Sequence, residues 1–120
     1  MAKVVVIGGG WAGCAAAISA RNAGAEVTIL ERTDLLLGLG NVGGIMRNNG
    51  RYTATEEAIA LGASELFELT DKYSTHKDMD FPGHKHSTIY NVTEIEKPVR
   101  EKILSMGIEV KFFSRVIDVK

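Results

Sequence analysis

Residues 3–7, Lys-Val-Val-Val-Ile, are apolar and β-branched without alternation, the pattern of a parallel strand covered on both faces. Gly8-Gly9-Gly10 ends that run. Trp11 to Ala23 follows as an alanine-rich stretch, which predicts a helix. Gly24 stands where a left-handed C-terminal cap belongs. Residues 26–31, Glu-Val-Thr-Ile-Leu-Glu, return to an extended pattern. Together these pieces make a βαβ unit of about 30 residues.

Beyond residue 32 the pattern loosens. Residues 33–52 hold Gly38, Gly40, Gly43, Gly44 and Gly50 but stay apolar, which predicts a packed loop. Within it Asn49-Gly50 suits a tight hairpin turn in a polar segment. Thr53-Ala54-Thr55-Glu56 matches a capping box, and a helix of about 15–20 residues should follow. Ile59, Ala63, Leu66 and Thr70 fall on one face of it. Residues 74–88 are polar and contain Pro82-Gly83, so they read as a surface loop. A last helix should start between Thr93 and Pro98, with Pro98 in its first turn, and end at Met106 before Gly107. Residues 108–113 alternate and predict a third strand; 116–119 begin another extended piece. The order β-α-β-α-α-β points to an α/β fold with an open, mostly parallel sheet, Rossmann-like but incomplete. Right-handed crossovers place strand 108–113 beyond strand 26–31.

Composition narrows the setting. The 120 residues suffice for one domain, with 45% hydrophobic and 24% charged positions. A net charge of −1 gives no basic excess for nucleic acid or for an anionic membrane surface. The run Val4–Ile7 is far too short to cross a bilayer and makes a poor signal peptide. Cys14 is the single cysteine, so neither a disulfide framework nor a cysteine metal cage is available. The expectation is a cytoplasmic chain with no nucleic acid and no membrane among its partners.

Chemistry concentrates at the first turn. Gly8, Gly10 and Gly13 spell G-x-G-x-x-G, a weak string alone. Here it follows a buried-type strand, opens a helix, and has the small Ala17 one turn further on. Glu31 ends the next strand, 18 residues after Gly13. Gly8 permits the turn, Gly10 lets backbone approach a pyrophosphate, and Gly13 lets helix and strand pack closely. The helix start, Trp11-Ala12-Gly13, offers unpaired N–H groups and the positive end of a dipole. Glu31 suits ribose hydroxyls and would repel a 2′-phosphate, which disfavours NADP. A ligand-free tight turn and a solvated strand end are the plainer readings of the same residues. This logic does not separate FAD from NAD.

A resemblance does. KVVVIGGGWAGCAAAISARNAGAEVTILER, Lys3 to Arg32, resembles the opening of FAD-dependent oxidoreductases of the glutathione-reductase-like superfamily, through Gly8–Gly13 and Glu31-Arg32. IYNVTEIEKPVREKILSMGIEVKFFSRVIDV, Ile89 to Val119, is similar to a segment of fumarate-reductase-like and GidA-like flavoproteins. The resemblance implies that Gly8, Gly10, Trp11, Ala12 and Gly13 serve the FAD pyrophosphate. It further implies that Glu31 holds the AMP ribose with Arg32 beside it, and that the Val116 backbone meets the adenine edge. The loop from Gly38 to Gly44 would run under the pyrophosphate toward the flavin, though Gly38-Leu39-Gly40-Asn41 departs from the commoner Gly-Gly pair. Such flavoproteins run to several hundred residues, with a later Thr-Gly-Asp-type motif and a substrate domain that do not occur here. The expectation is therefore an N-terminal FAD-binding part, residues 1–120, of a flavin-dependent oxidoreductase, needing further chain for catalysis and with its catalytic residues unassigned. It would pair with the remainder of the flavoprotein, a partner chain or itself, because strand 3–7 is left an open edge. An NAD-binding half of a dehydrogenase and a non-catalytic dinucleotide-binding module are the alternatives.

Other residues carry weaker signals. Cys14 lies where a helix N-terminus lowers a thiol pKa, but packing explains it better. His84 and His86, with His76 and Asp80, read as a polar loop rather than a metal site. Arg47 or Arg51 could reach a pyrophosphate. Trp11 could border a flavin or simply pack.

Overall fold

In the computed structural model, residues 1–45, 47–49, 54–81 and 84–120 are described. The apolar run forms β1 (Lys3–Ile7), the alanine-rich stretch α1 (Trp11–Asn22), and the next extended run β2 (Glu26–Leu30). α1 stops because Gly24 takes φ +92°, which lets the Ala25 N–H reach back to the Ala20 carbonyl at 3.0 Å. The chain continues through β3 (Arg47–Asn49), α2 (Thr55–Ala58), a wider helical turn at Ile59–Ala63, α3 (Ser64–Lys72), β4 (Ser74–Phe81), β5 (His84–Tyr90), α4 (Glu96–Ser105) and β6 (Glu109–Lys111).

The parallel sheet has the strand order β1-β2-β6, as the crossover rule predicts. Ile7 stands opposite Leu30, and Leu30 opposite Lys111. α1 closes the crossover by burying Cys14, Ala17 and Ile18 in one core with Val27, Ile29, Val99 and Ile103. Each buried branched aliphatic side chain contributes about 1.5–3 kcal/mol there.

Five expectations need correction. β1 is not covered on both faces: Val5 and Ile7 are 60% and 61% exposed, because the helices pack on one side of the sheet. Residues 74–88 are not a surface loop. β4 and β5 pair antiparallel, and β3 joins β5, giving a second sheet in the order β3-β5-β4. The strands escaped notice because they are polar, and because the β4–β5 register shifts between Ser74 and His76 and again before Met79 and Phe81. Arg47 to Asn49 is correspondingly strand rather than turn. The long helix is interrupted: Gly62 takes φ +103°, so Ala63, Leu66 and Thr70 are buried while Ile59 is 41% exposed. Finally, β6 ends at Lys111. Phe113 takes φ +51°, its N–H donates to the Thr33 carbonyl (3.1 Å), and Ser114 N–H donates to the Glu31 carbonyl (2.9 Å). The chain thus curls over the end of β2, and residues 116–119 belong to no strand. The Asn49-Gly50 turn, the Thr53 cap, Arg51 and Pro82-Gly83 lie at least partly outside the described residues.

Candidate functional site

The turn between β1 and α1 shows why each glycine is there. Gly8 takes φ +95° while its N–H still donates to the Leu30 carbonyl at 2.8 Å. A Cβ on Gly13 would overlap the Gly8 carbonyl oxygen, so helix and turn touch backbone to backbone. Gly9 is equally confined, since its Cβ would stand 2.6 Å from Leu36 Cδ2 and 3.2 Å from Glu31 Oε2.

Gly10 is different. Its backbone is extended (φ −71°, ψ −171°), a conformation any residue adopts, and a Cβ would meet nothing within 4 Å. Nothing in the protein requires glycine there. Beside it, the N–H groups of Trp11, Ala12 and Gly13 have no acceptor among the described residues; Cys14 N–H makes the first helical bond, to the Gly10 carbonyl at 2.8 Å. Open space thus adjoins the positive end of a 12-residue helix.

Glu31 sits at this corner, 6% exposed. Its Oε2 accepts the Gly9 N–H at 2.7 Å. Its Oε1 accepts the Thr33 N–H at 2.8 Å and the Thr33 hydroxyl at 3.1 Å. Burial pushes the carboxyl pKa up. The N–H bonds from Thr33 and Gly9, the Thr33 hydroxyl and the Arg32 charge outweigh it, so the group lies below the usual carboxylate range. A carboxylate has about four acceptor positions, so a position on Oε2 remains open to a further donor.

The segment after β2 closes the corner from above. Leu37 N–H donates to the Gly9 carbonyl at 2.8 Å. Gly38 takes φ +43°, and its Cβ would stand 3.2 Å from Gly10 Cα. α4 braces this segment. Glu96 Oε1 accepts the Leu36 N–H (3.2 Å) and the Arg100 Nε–H (2.8 Å), while Arg100 donates to the Asp34 carbonyl (2.6 Å) and lies 4.5 Å above the Phe112 ring. Sequence reasoning passed over Gly9, Thr33, Glu96 and Arg100. A hydroxyl two residues past Glu31 was a usable signal; the α4 brace joins residues 60 and 66 positions apart and left none.

The remaining candidates divide. Ala12 and Arg32 are exposed at the corner, and Val116 lies two residues past the Ser114 N–H that caps β2. The Trp11 side chain is turned to packing. Its indole N–H donates to Tyr90 Oη at 3.0 Å, and its ring lies 5.0 Å from Tyr90 and 6.3 Å from Phe67. Cys14 is fully buried, and burial pushes its thiol up to about 12, overriding the helix start. Among the described residues no three His, Cys, Asp or Glu side chains could hold a metal ion, and no helix is long and apolar enough to cross a membrane.

A parallel sheet, a glycine turn opening a helix and an acid-tipped second strand define a Rossmann-like α/β protein. More narrowly, the chain belongs to the glucose inhibited division protein A family, whose family model matches residues 3–117. Solved structures share the fold at low identity. An MHPCO variant superposes with a TM-score of 0.66 at 16% identity, covering 100% of this chain and 34% of that one. CtdE in complex with FAD and a substrate gives 0.60 at 19% identity, over 97% of this chain and 31% of that one. THI4 from Thermovibrio ammonificans gives 0.55 at 18%, over 92% and 38%. The chain therefore spans well under half the length of these structures. No curated protein matches the sequence.

Proposed function

We propose that this chain binds the adenine-dinucleotide half of FAD, as the nucleotide-binding portion of a flavin-dependent oxidoreductase. The observation that carries this reading is Gly10: a glycine whose missing side chain leaves space that no protein atom uses, beside three unpaired helix N–H groups. A diphosphate there would accept those N–H groups, while Glu31 would accept a ribose hydroxyl on its open position. Gly8, Gly13 and Gly38 would shape the turn, the Trp11 and Ala12 N–H groups would meet phosphate, Arg32 would flank the sugar, and the Val116 backbone would face the adenine. A nicotinamide dinucleotide could use the same corner; family membership and an FAD-bound neighbour support the flavin. When bound, the flavin would supply hydride or electron transfer. The residues described here bind and orient; substrate contacts would come from further chain. Pairing of the bare β1 edge with that chain, or with a second copy, would complete the sheet. A cytoplasmic setting fits the single buried thiol.

Gly10→Ser tests the reading. Serine caps helices well, so stability should stay within about 0.5 kcal/mol, but its hydroxyl occupies the diphosphate space and a helix N–H. ADP affinity measured by calorimetry should fall at least about tenfold, near 1.4 kcal/mol. Wild-type chain that shows no ADP binding at millimolar concentration, or a serine variant that binds ADP normally, would sink the assignment.

A further inference from the structure

Asn41 has both polar side-chain atoms, Oδ1 and Nδ2, buried and unpartnered, and no other described residue shares this condition. A buried amide without partners is unfavourable and rare in folded chains. The backbone of its turn is already committed. The Gly38 carbonyl takes the Val42 N–H at 2.8 Å, the Leu39 carbonyl takes the Ile45 N–H at 3.0 Å, and Tyr90 Oη lies between the Trp11 indole and the Ile45 carbonyl. The same bonds hold Asn41 on a tight turn that begins at Gly38, the residue seated against Gly10.

We infer that Asn41 is a binding residue for the half of the dinucleotide beyond the diphosphate, its amide pairing with a hydroxyl of the polyol linker there. The inference rests on the dinucleotide reading above. With sugar on Glu31 and diphosphate over Gly10, the next group along the ligand falls to the Gly38 turn. An amide offers one acceptor and two donors on neighbouring atoms, and a hydroxyl both donates and accepts, so one polyol hydroxyl can satisfy either end. A bare ADP ends before this point and would leave the amide as it is.

The experiment compares wild type, Asn41→Ala and Asn41→Ser, each as the full chain, by calorimetry with ADP and with FAD and by thermal unfolding without ligand. Asn41→Ala should bind FAD about five- to tenfold more weakly and ADP unchanged. Its ligand-free melting temperature should hold or rise, because an unpaired amide has been removed. Asn41→Ser should recover part of the FAD affinity. An unchanged ratio of FAD to ADP affinity in Asn41→Ala, or a lower ligand-free melting temperature, overturns the role of Asn41 while leaving the corner intact. Failure of wild type to bind ADP overturns the dinucleotide reading and this inference with it.

Discussion

The two faces of the parallel sheet are built from the same three strands and have opposite chemistry. On the helix-covered face, β2 presents Val27 and Ile29, 2% and 0% exposed, and the same alternation carries Glu31 inward at the strand's end. The other face shows a gradient. At β6 it is polar: Thr28 Oγ1 donates to Glu109 Oε2 at 3.0 Å, and Lys111 lies 3.7 Å from Glu109. At β1 it becomes apolar, with Val5 and Ile7 in the open beside a strand edge that no described residue pairs. One face is finished by this chain; the other is finished only where charge meets water. An uncovered apolar edge strand is a pairing hazard that soluble proteins normally suppress.

Three substitutions would break or sharpen that contrast. Ile29→Ala on the covered face should cost about 2–5 kcal/mol in urea-induced unfolding, because the packed core collapses only partly around the lost atoms. A loss under 1 kcal/mol would mean the covered face is not the stabilising one. Glu31→Gln should cost about 1–3 kcal/mol at neutral pH, since the amide NH2 must face one of two N–H donors. The folded carboxyl titrates below the ordinary pKa of a free glutamate. Its stabilisation is therefore complete above that pH and disappears as pH falls through the folded value. Wild type and variant should converge in acid; parallel pH profiles would contradict the ionised, hydrogen-bonded carboxylate. Ile7→Lys on the bare face should change monomer stability by about 0.5 kcal/mol or less. Its effect should appear as weaker concentration-dependent association in sedimentation. A variant that associates as strongly as wild type would remove β1 as the contact.

The legible parts of the sequence were the local ones. G-x-G-x-x-G and Glu31 lie within 23 positions of one another, and glycine reports a backbone condition directly: Gly13 is contact and Gly24 is left-handed cap. The second sheet was hidden for the converse reason. Its strands carry Ser, Thr, His and Lys in place of an apolar alternation, and its register is broken by bulges, so neither periodicity nor composition marked it. Gly62 was visible as a residue but not as an interruption, since a glycine inside a helical pattern is usually tolerated. The Tyr90–Trp11 hydrogen bond spans 79 residues and ties the unforeseen sheet to the first turn of α1. A pattern read in windows of a dozen positions has no access to it.

Glu31 is bolted down by folding, before any encounter with a donor from outside. Gly9 and Thr33 hold both oxygens, so the rotor freedom of a glutamate side chain, worth up to about 1.5–2 kcal/mol, is surrendered during folding rather than at the encounter. Any donor that approached it would meet a preorganised acceptor. The same tether ties the turn that opens α1 to the tip of β2.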